Sequence, residues 1–166
     1  MTLFKNAAEV TYHGYSYEDG AKVIHVEDAH GAQIGVVPHL LKHSPSGMNW
    51  GYAGSGPSDT ARSLFIAALG EGAVCTVCAG TRRVVYVSRA EGLAAVPFDP
   101  DRHLWSRRGW RCKCDDGYTM LPYLAFVDQF VSQWGREWMM TRVAVLMWLE
   151  QHQGKDHLSD HPAPTC

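Results

Sequence analysis

Long apolar runs are missing from this chain. The longest, Val143–Leu149, falls far short of the roughly 18 residues a membrane span needs, so no transmembrane helix is expected. A strong charge of either sign is also missing. With 15 basic and 17 acidic side chains the net charge is −2, which excludes a generally basic nucleic-acid binder and leaves room only for a local patch. There is no internal repeat and no extended low-complexity segment. The glycine-rich stretch lacks the lysine of a P-loop, which argues against nucleoside triphosphate binding. The first residues carry Lys5 and Glu9 but no long apolar stretch, so no signal peptide is expected and the chain is assigned to the cytoplasm.

What is present fits a globular protein of 166 residues, 46% hydrophobic, able to bury a core without disulfides. Its charge is unevenly spread. Residues 1–70 hold four bases and six acids, residues 71–120 eight and six, and residues 121–166 three and five. The middle third also holds four of the five cysteines. This pattern predicts a core domain made of 1–70 and 121–152, an inserted lobe at 71–120, and a loose, proline-containing tail at 153–166.

The first segment reads as strands. Val10, Tyr12 and Tyr15 lie in a β-rich run, Glu18-Asp19-Gly20 makes a turn, and Val23–Val26 forms a second strand. Asp28–Gly31 turns the chain into Ile34–Val37, completing a small antiparallel meander. A Gly/Ser/Pro loop runs from Pro38 to Gly56. Pro57 then suits a helix start, with Ser58 and Asp59 near the positive end of its dipole. Ala61, Leu64, Phe65 and Ala68 form the buried stripe, and Gly70 ends the helix. Pro122 opens a second helix to about Trp134, Glu137–Met140 makes a short strand, and Thr141 caps a third helix to about Gln151. That third helix is apolar on nearly every side, which places it in the core or against a partner. The predicted fold class is α+β: a small antiparallel sheet packed with about three helices, plus the inserted lobe.

The sharpest chemical signal is Cys75-x2-Cys78 followed, after 33 intervening residues, by Cys112-x-Cys114. Two close pairs in tight turns can aim four thiolates at one ion, the set that structural zinc prefers. Val84–Val87 and Trp110–Lys113 supply β-like runs beside the pairs, so the lobe reads as a zinc ribbon. Arg82, Arg83, Arg111 and Lys113 would offset the cluster's negative charge. Two disulfides are the alternative, which a reducing compartment disfavours, and iron shares the same ligand set. Four cysteine ligands leave no position for water, so the metal is expected to be structural. Cys166 is a lone tail cysteine with no assigned role.

The same lobe holds Arg102, Trp105, Arg107, Arg108, Trp110 and Arg111 in one short loop. Arginine and tryptophan together suit a protein-binding hot spot. They also suit stacking and phosphate contact on nucleic acid, or a solvated loop packed on the ribbon. In the glycine-rich stretch, Ser55, Gly56 and Ser58 open a helix where backbone N–H groups could hold an anion. The plainer reading is a tight strand-to-helix connection, with Trp50 and Tyr52 buried, Gly54–Gly56 turning the chain into the helix, and glycines that permit left-handed backbone.

The segment from His43 to Ser58, HSPSGMNWGYAGSGPS, resembles the HSPTGFEWGYGGSGP signature of small phage and bacterial proteins grouped as domain of unknown function 6166. Tyr12-His13-Gly14 and the strands after it correspond to that family's β-rich beginning. Tyr123–Phe126, Trp138–Thr141 and Val143–Leu149 are similar to its later helix, Trp-x-Thr step and final helix. The resemblance spans most of 10–70 and 121–150 and leaves 71–120 as an insertion. It implies an origin on a phage or other mobile element and carries over no known activity.

An enzyme needs a nucleophile, base or acid pair that this sequence does not display. His43 and Ser44 are adjacent, and His25, His30 and His39 are scattered among strands and turns. Tyr12-His13-Gly14 resembles the first motif of ADP-ribosyltransferases but lacks convincing later partners. Asp19, Glu27, Asp28 and Asp59 have turn or cap explanations. The expectation is a non-enzymatic, zinc-containing binding protein acting on a host protein complex, for example inhibiting a bacterial defence system. A nucleic-acid accessory factor and a small enzyme with an anion site stand as alternatives.

Overall fold

The structure, a computed structural model, describes residues 9–103, 106 and 109–152. The predicted tail at 153–166 and Cys166 lie outside the described residues. In chain order the elements are β1 (Thr11–Ser16), β2 (Lys22–Glu27), β3 (Gln33–Val36), α1 (Ser55–Leu69), β4 (Arg83–Arg89), β5 (Gly92–Pro97), β6 (Trp110–Arg111), α2 (Tyr123–Gln129), β7 (Glu137–Thr141) and α3 (Arg142–His152). The fold is α+β. The chain divides into two compact units, one formed by the described residues up to 69 and from 121 on, the other by 70–120.

In the first unit the expected meander is present as β1–β2–β3. Strand β7 joins it on the far side of β1, giving the order β3-β2-β1-β7. All three pairings are antiparallel, with Tyr12 opposite Val26 on one side and Met140 on the other. The period-2 pattern turns Tyr12 and Ile24 into the core, while His13 and Glu27 lie on the opposite face. Gly14 faces Trp138 across the ladder, and a Cβ there would collide with the indole ring. Trp138 in turn stacks on Trp134 at 3.7 Å and meets the Trp50 ring edge-on at 5.6 Å.

The helices complete this core with Leu64, Phe65, Phe126, Val145 and Leu149, all fully buried. Helix α1 begins two residues earlier than Pro57. The second helix is shorter than the sequence pattern predicts. Phe130 leaves helical geometry at φ −129° and ψ −61°, a 3-10 turn covers Val131–Gln133, and Trp134 is extended. That break lets Trp134 stack on Trp138 instead of continuing the helix. The cap of α3 is as expected, since Thr141 Oγ1 accepts from the Ala144 N–H at 3.1 Å. Its burial is one-sided, however: Val145, Leu146, Trp148 and Leu149 are buried, while Val143 and Met147 are exposed.

The second unit contains a three-stranded antiparallel sheet ordered β5-β4-β6. Strand β5 lies in Gly92–Pro97, a stretch the sequence reading left unassigned. Its core is small: Val84 from β4 with Cys75, Cys78 and Cys112.

Candidate metal centre

Each cysteine pair sits on a turn shaped by left-handed backbone. After Cys78, Ala79 and Gly80 have φ of 47° and 79°; after Cys114, Asp116 and Gly117 have φ of 49° and 97°. Such turns fold the following N–H groups back toward sulfur, and the Gly117 N–H donates to Cys114 Sγ at 3.3 Å. The backbone N–H of Arg82 serves Cys78 in the same way. Arg82 therefore contributes through its main chain, at a φ of 63°.

The two turns are locked together by backbone bonds. Cys75 N–H donates to the Gly117 carbonyl at 2.9 Å, Cys112 N–H to that of Arg82 at 2.8 Å, and Thr119 N–H to that of Ala73 at 2.8 Å. As a result the sulfurs of Cys75, Cys78, Cys112 and Cys114 all lie within 4.8 Å of one another. Cys75 Sγ is 3.9 Å from Cys112 Sγ, and Cys78 Sγ is 3.6 Å from Cys114 Sγ. A tetrahedron with metal–sulfur bonds of about 2.3 Å has edges of about 3.8 Å, so the donor set fits one tetrahedral ion. The same spacings are far beyond the roughly 2.05 Å of a disulfide. Three of the four cysteines are buried and Cys114 is partly so.

Burial and mutual contact split the thiols' acidity. Burial pushes the Cys112 and Cys114 thiols up. Cys78 goes the other way: burial would raise it, but hydrogen bonds from Cys114, the Arg82 N–H, Cys75 and Cys112 together lower it. A cation in the middle would favour all four thiolates, and metal uptake would release protons.

Of the residues predicted to bind a partner, Arg102, Trp110 and Arg111 are exposed, while Trp105, Arg107 and Arg108 lie outside the described residues. Trp110 and Arg111 form β6 and pair with Val84 and Arg83 of β4, immediately before ligand Cys112. Gly109, just before them, has a φ of 63°, and a Cβ there would stand 2.9 Å from the Val84 carbonyl oxygen.

Two of the anion-site candidates at the start of α1, Gly56 and Ser58, are engaged within the fold. Ser58 is buried, and its hydroxyl donates to the Gly54 carbonyl at 2.9 Å. Asn49 and the Tyr52 hydroxyl lie over Gly56, and Ser55 is exposed. Trp50 is buried as expected, but Tyr52 is 46% exposed, a correction to its predicted place in the core. Its ring covers the glycines rather than entering the core. The left-handed glycines of this loop are Gly47 and Gly51, not Gly54 and Gly56. The latter two have ordinary backbone angles, and glycine is required there by close neighbours.

Two clusters escaped the sequence reading. Asp59 is no helix cap. It is fully buried, and its carboxylate accepts the N–H groups of Lys42, His43 and Ser44 and contacts His39 Nε2 at 3.1 Å. Burial alone would raise its carboxyl, but these bonds hold it below its ordinary value. His13 lies between Glu27 and Glu137, at 2.9 and 2.7 Å, with the Tyr15 hydroxyl 2.7 Å from its Nδ1. Burial and the two nearby carboxylates push the Tyr15 phenol up.

These features define an α+β protein carrying a four-cysteine cluster of the kind that holds a metal ion. Residues 12–81 match the model of a family of unknown function, DUF6166, which bears out the resemblance to that family. The matched stretch runs from β1 through α1 and takes in Cys75 and Cys78 as well. No curated protein and no solved structure matches the chain. Among the described residues, no helix is long and apolar enough to cross a membrane.

Proposed function

We propose that this is a zinc-stapled, non-enzymatic binding protein of a phage or mobile element, working in the cytoplasm of a bacterial cell. Its target would be a host protein complex, for example one belonging to a defence system. The observation that carries this reading is the position of Trp110. It is 49% exposed, fixed in a two-residue strand, and two residues before Cys112. A metal held by Cys75, Cys78, Cys112 and Cys114 would make that strand rigid, so a partner would meet a preordered aromatic anchor with Arg111 beside it. Four thiolates also fill a tetrahedral ion's coordination shell, which favours structural zinc over a reactive centre.

Affinity capture from host lysate, with and without nuclease, tests this. Wild-type protein should retain a specific protein partner after nuclease treatment, and Trp110→Ala combined with Arg111→Ala should weaken capture at least tenfold, about 1.4 kcal/mol. Capture lost on nuclease treatment would point to nucleic acid instead. A folded double variant that captures like wild type would move the interface away from β6.

A further inference from the structure

The sheet of the first unit ends in two edges, β3 and β7. Open main-chain groups on an edge invite another strand, and proteins blunt their edges with bulges, prolines or charges. Edge β3 is blunted in this way: its register slips between Val26 and Glu27 of β2, and Pro38 follows closely. Edge β7 is not. Its five residues pair with β1 in unbroken register, with no proline among them. Its one charged side chain, Glu137, turns to His13 Nε2, 2.7 Å away.

The ladder fixes which groups are open. Ser16 N–H donates to the Arg136 carbonyl at 2.8 Å, and Arg142 N–H donates to that of Val10 at 2.9 Å. Alternation along an antiparallel pair therefore aims the main-chain groups of Trp138 and Met140 at β1, and those of Glu137, Met139 and Thr141 outward. Among the described residues no strand covers this edge. The same three residues have exposed side chains, Met139 at 61%.

We propose that β7 pairs with β7 of a second copy of this chain, antiparallel and centred on Met139. The outward groups are symmetric about Met139, the midpoint of the strand, so one register overlaps the two strands completely. In that register Met139 lies opposite its own counterpart, and Glu137 lies opposite Thr141 of the other copy. Apolar meets apolar at the two-fold axis and each carboxylate meets a hydroxyl, while the two Glu137 side chains stand at opposite ends of the ladder. Arg142, the next residue, is turned to its own helix α1, where its Nε donates to the Ala68 carbonyl at 2.7 Å. The pattern of charge and apolar surface is thus complementary to itself, which selects a second copy over an unrelated strand. Two strands this short bury less than the roughly 1,000 Å² of a stable interface, so the dimer is weak.

The test is sedimentation equilibrium of the full chain from about 5 to about 500 μM, where wild type should dimerise with a Kd on the order of 100 μM. Met139→Lys and Met139→Glu, at an exposed position, should each weaken association at least tenfold, because like charges would face each other. Mixing the two variants one to one should restore most of the wild-type affinity, as expected when position 139 meets itself. Amide hydrogen exchange at Met139 should slow in the wild-type dimer. A wild-type chain that stays monomeric, a dimer indifferent to both variants, no recovery in the mixture, or unchanged exchange at Met139 would each overturn the proposal.

Discussion

Gly117 stands so close to Gly80 that a Cβ on it would lie 2.7 Å from the Gly80 carbonyl oxygen. The two residues belong to the two cysteine turns, so this contact measures how tightly the turns close on each other. Gly117 also has a φ of 97°, which disfavours any other residue. Gly117→Ala should therefore destabilise the protein by about 2 kcal/mol or more, read by chemical denaturation. It should also loosen metal binding, because the Gly117 N–H serves Cys114 Sγ. A variant that unfolds like wild type would show that the turns do not depend on this contact.

The donor set makes a direct prediction about metal. Purified protein should carry about one zinc per chain, and a chelator should melt the second unit, because structural zinc contributes folding free energy. Cys78→Ser should lose the metal as fully as Cys114→Ser. Elemental analysis showing no metal, with four reactive thiols in the native protein, would refute this; iron in place of zinc would keep the site and change its ion.

Asp59 predicts a pH dependence. Its folded pKa is depressed by bonds to Ser44, Lys42, His43 and His39. In the unfolded chain an aspartate titrates near about 3.9. The stabilisation is therefore present above that value and is lost as pH falls through the folded pKa. Asp59→Asn should cost about 2 kcal/mol at neutral pH, because hydrogen bonds to a charged group exceed those to an amide. It should also flatten the acid limb of the stability profile. Equal acid sensitivity in Asp59→Asn and wild type would assign that limb to other carboxylates.

Much of the fold was legible because local patterns and tertiary demands agreed. The meander, α1 and the α3 cap follow from turn residues, apolar spacing and Thr141. The four cysteines were legible because thiolate chemistry leaves few alternatives. Two things were not. Strand β5 is alanine-rich and gains its identity only by pairing with β4. Asp59 has the sequence position of a helix-start residue, and nothing local shows that its carboxylate points at a loop 15 to 17 residues upstream. Tyr52 failed for a related reason: an aromatic beside glycines can cover them from outside as easily as it can enter the core.

The His13 cluster ties β1, β2 and β7 together on the outer face of the first sheet. His13 is 8% exposed; the Glu27 side chain is 13% exposed and that of Glu137 62%. Those exposures rank the two contacts. Glu27→Gln should cost about 1–2 kcal/mol, since it alters a sheltered charge-assisted bond, whereas Glu137→Gln should cost under about 0.5 kcal/mol. Thermal melts of the two single variants, made side by side, decide this, and equal losses would show that solvent exposure does not set the ranking.

The two glycines before and within the first turn of α1 should respond differently to the same change. A Cβ on Gly54 would stand 2.8 Å from Tyr52 Cε2, but that ring is half exposed and can swing away. A Cβ on Gly56 would stand 2.7 Å from Asn49 Cβ. Asn49 cannot move, because Thr60 Oγ1 accepts its N–H at 2.9 Å and donates to its carbonyl at 2.7 Å. Thr60 itself is fully buried. Gly54→Ala should therefore cost under about 1 kcal/mol, and Gly56→Ala about 2 kcal/mol, the range for overpacking a site that cannot relax. Adding Tyr52→Ala should recover most of the loss in Gly54→Ala and little of the loss in Gly56→Ala, since only the first clash is with the ring alone. Equal destabilisation by both alanines, unaffected by Tyr52→Ala, would show that the loop yields as one body and that Thr60 does not pin it.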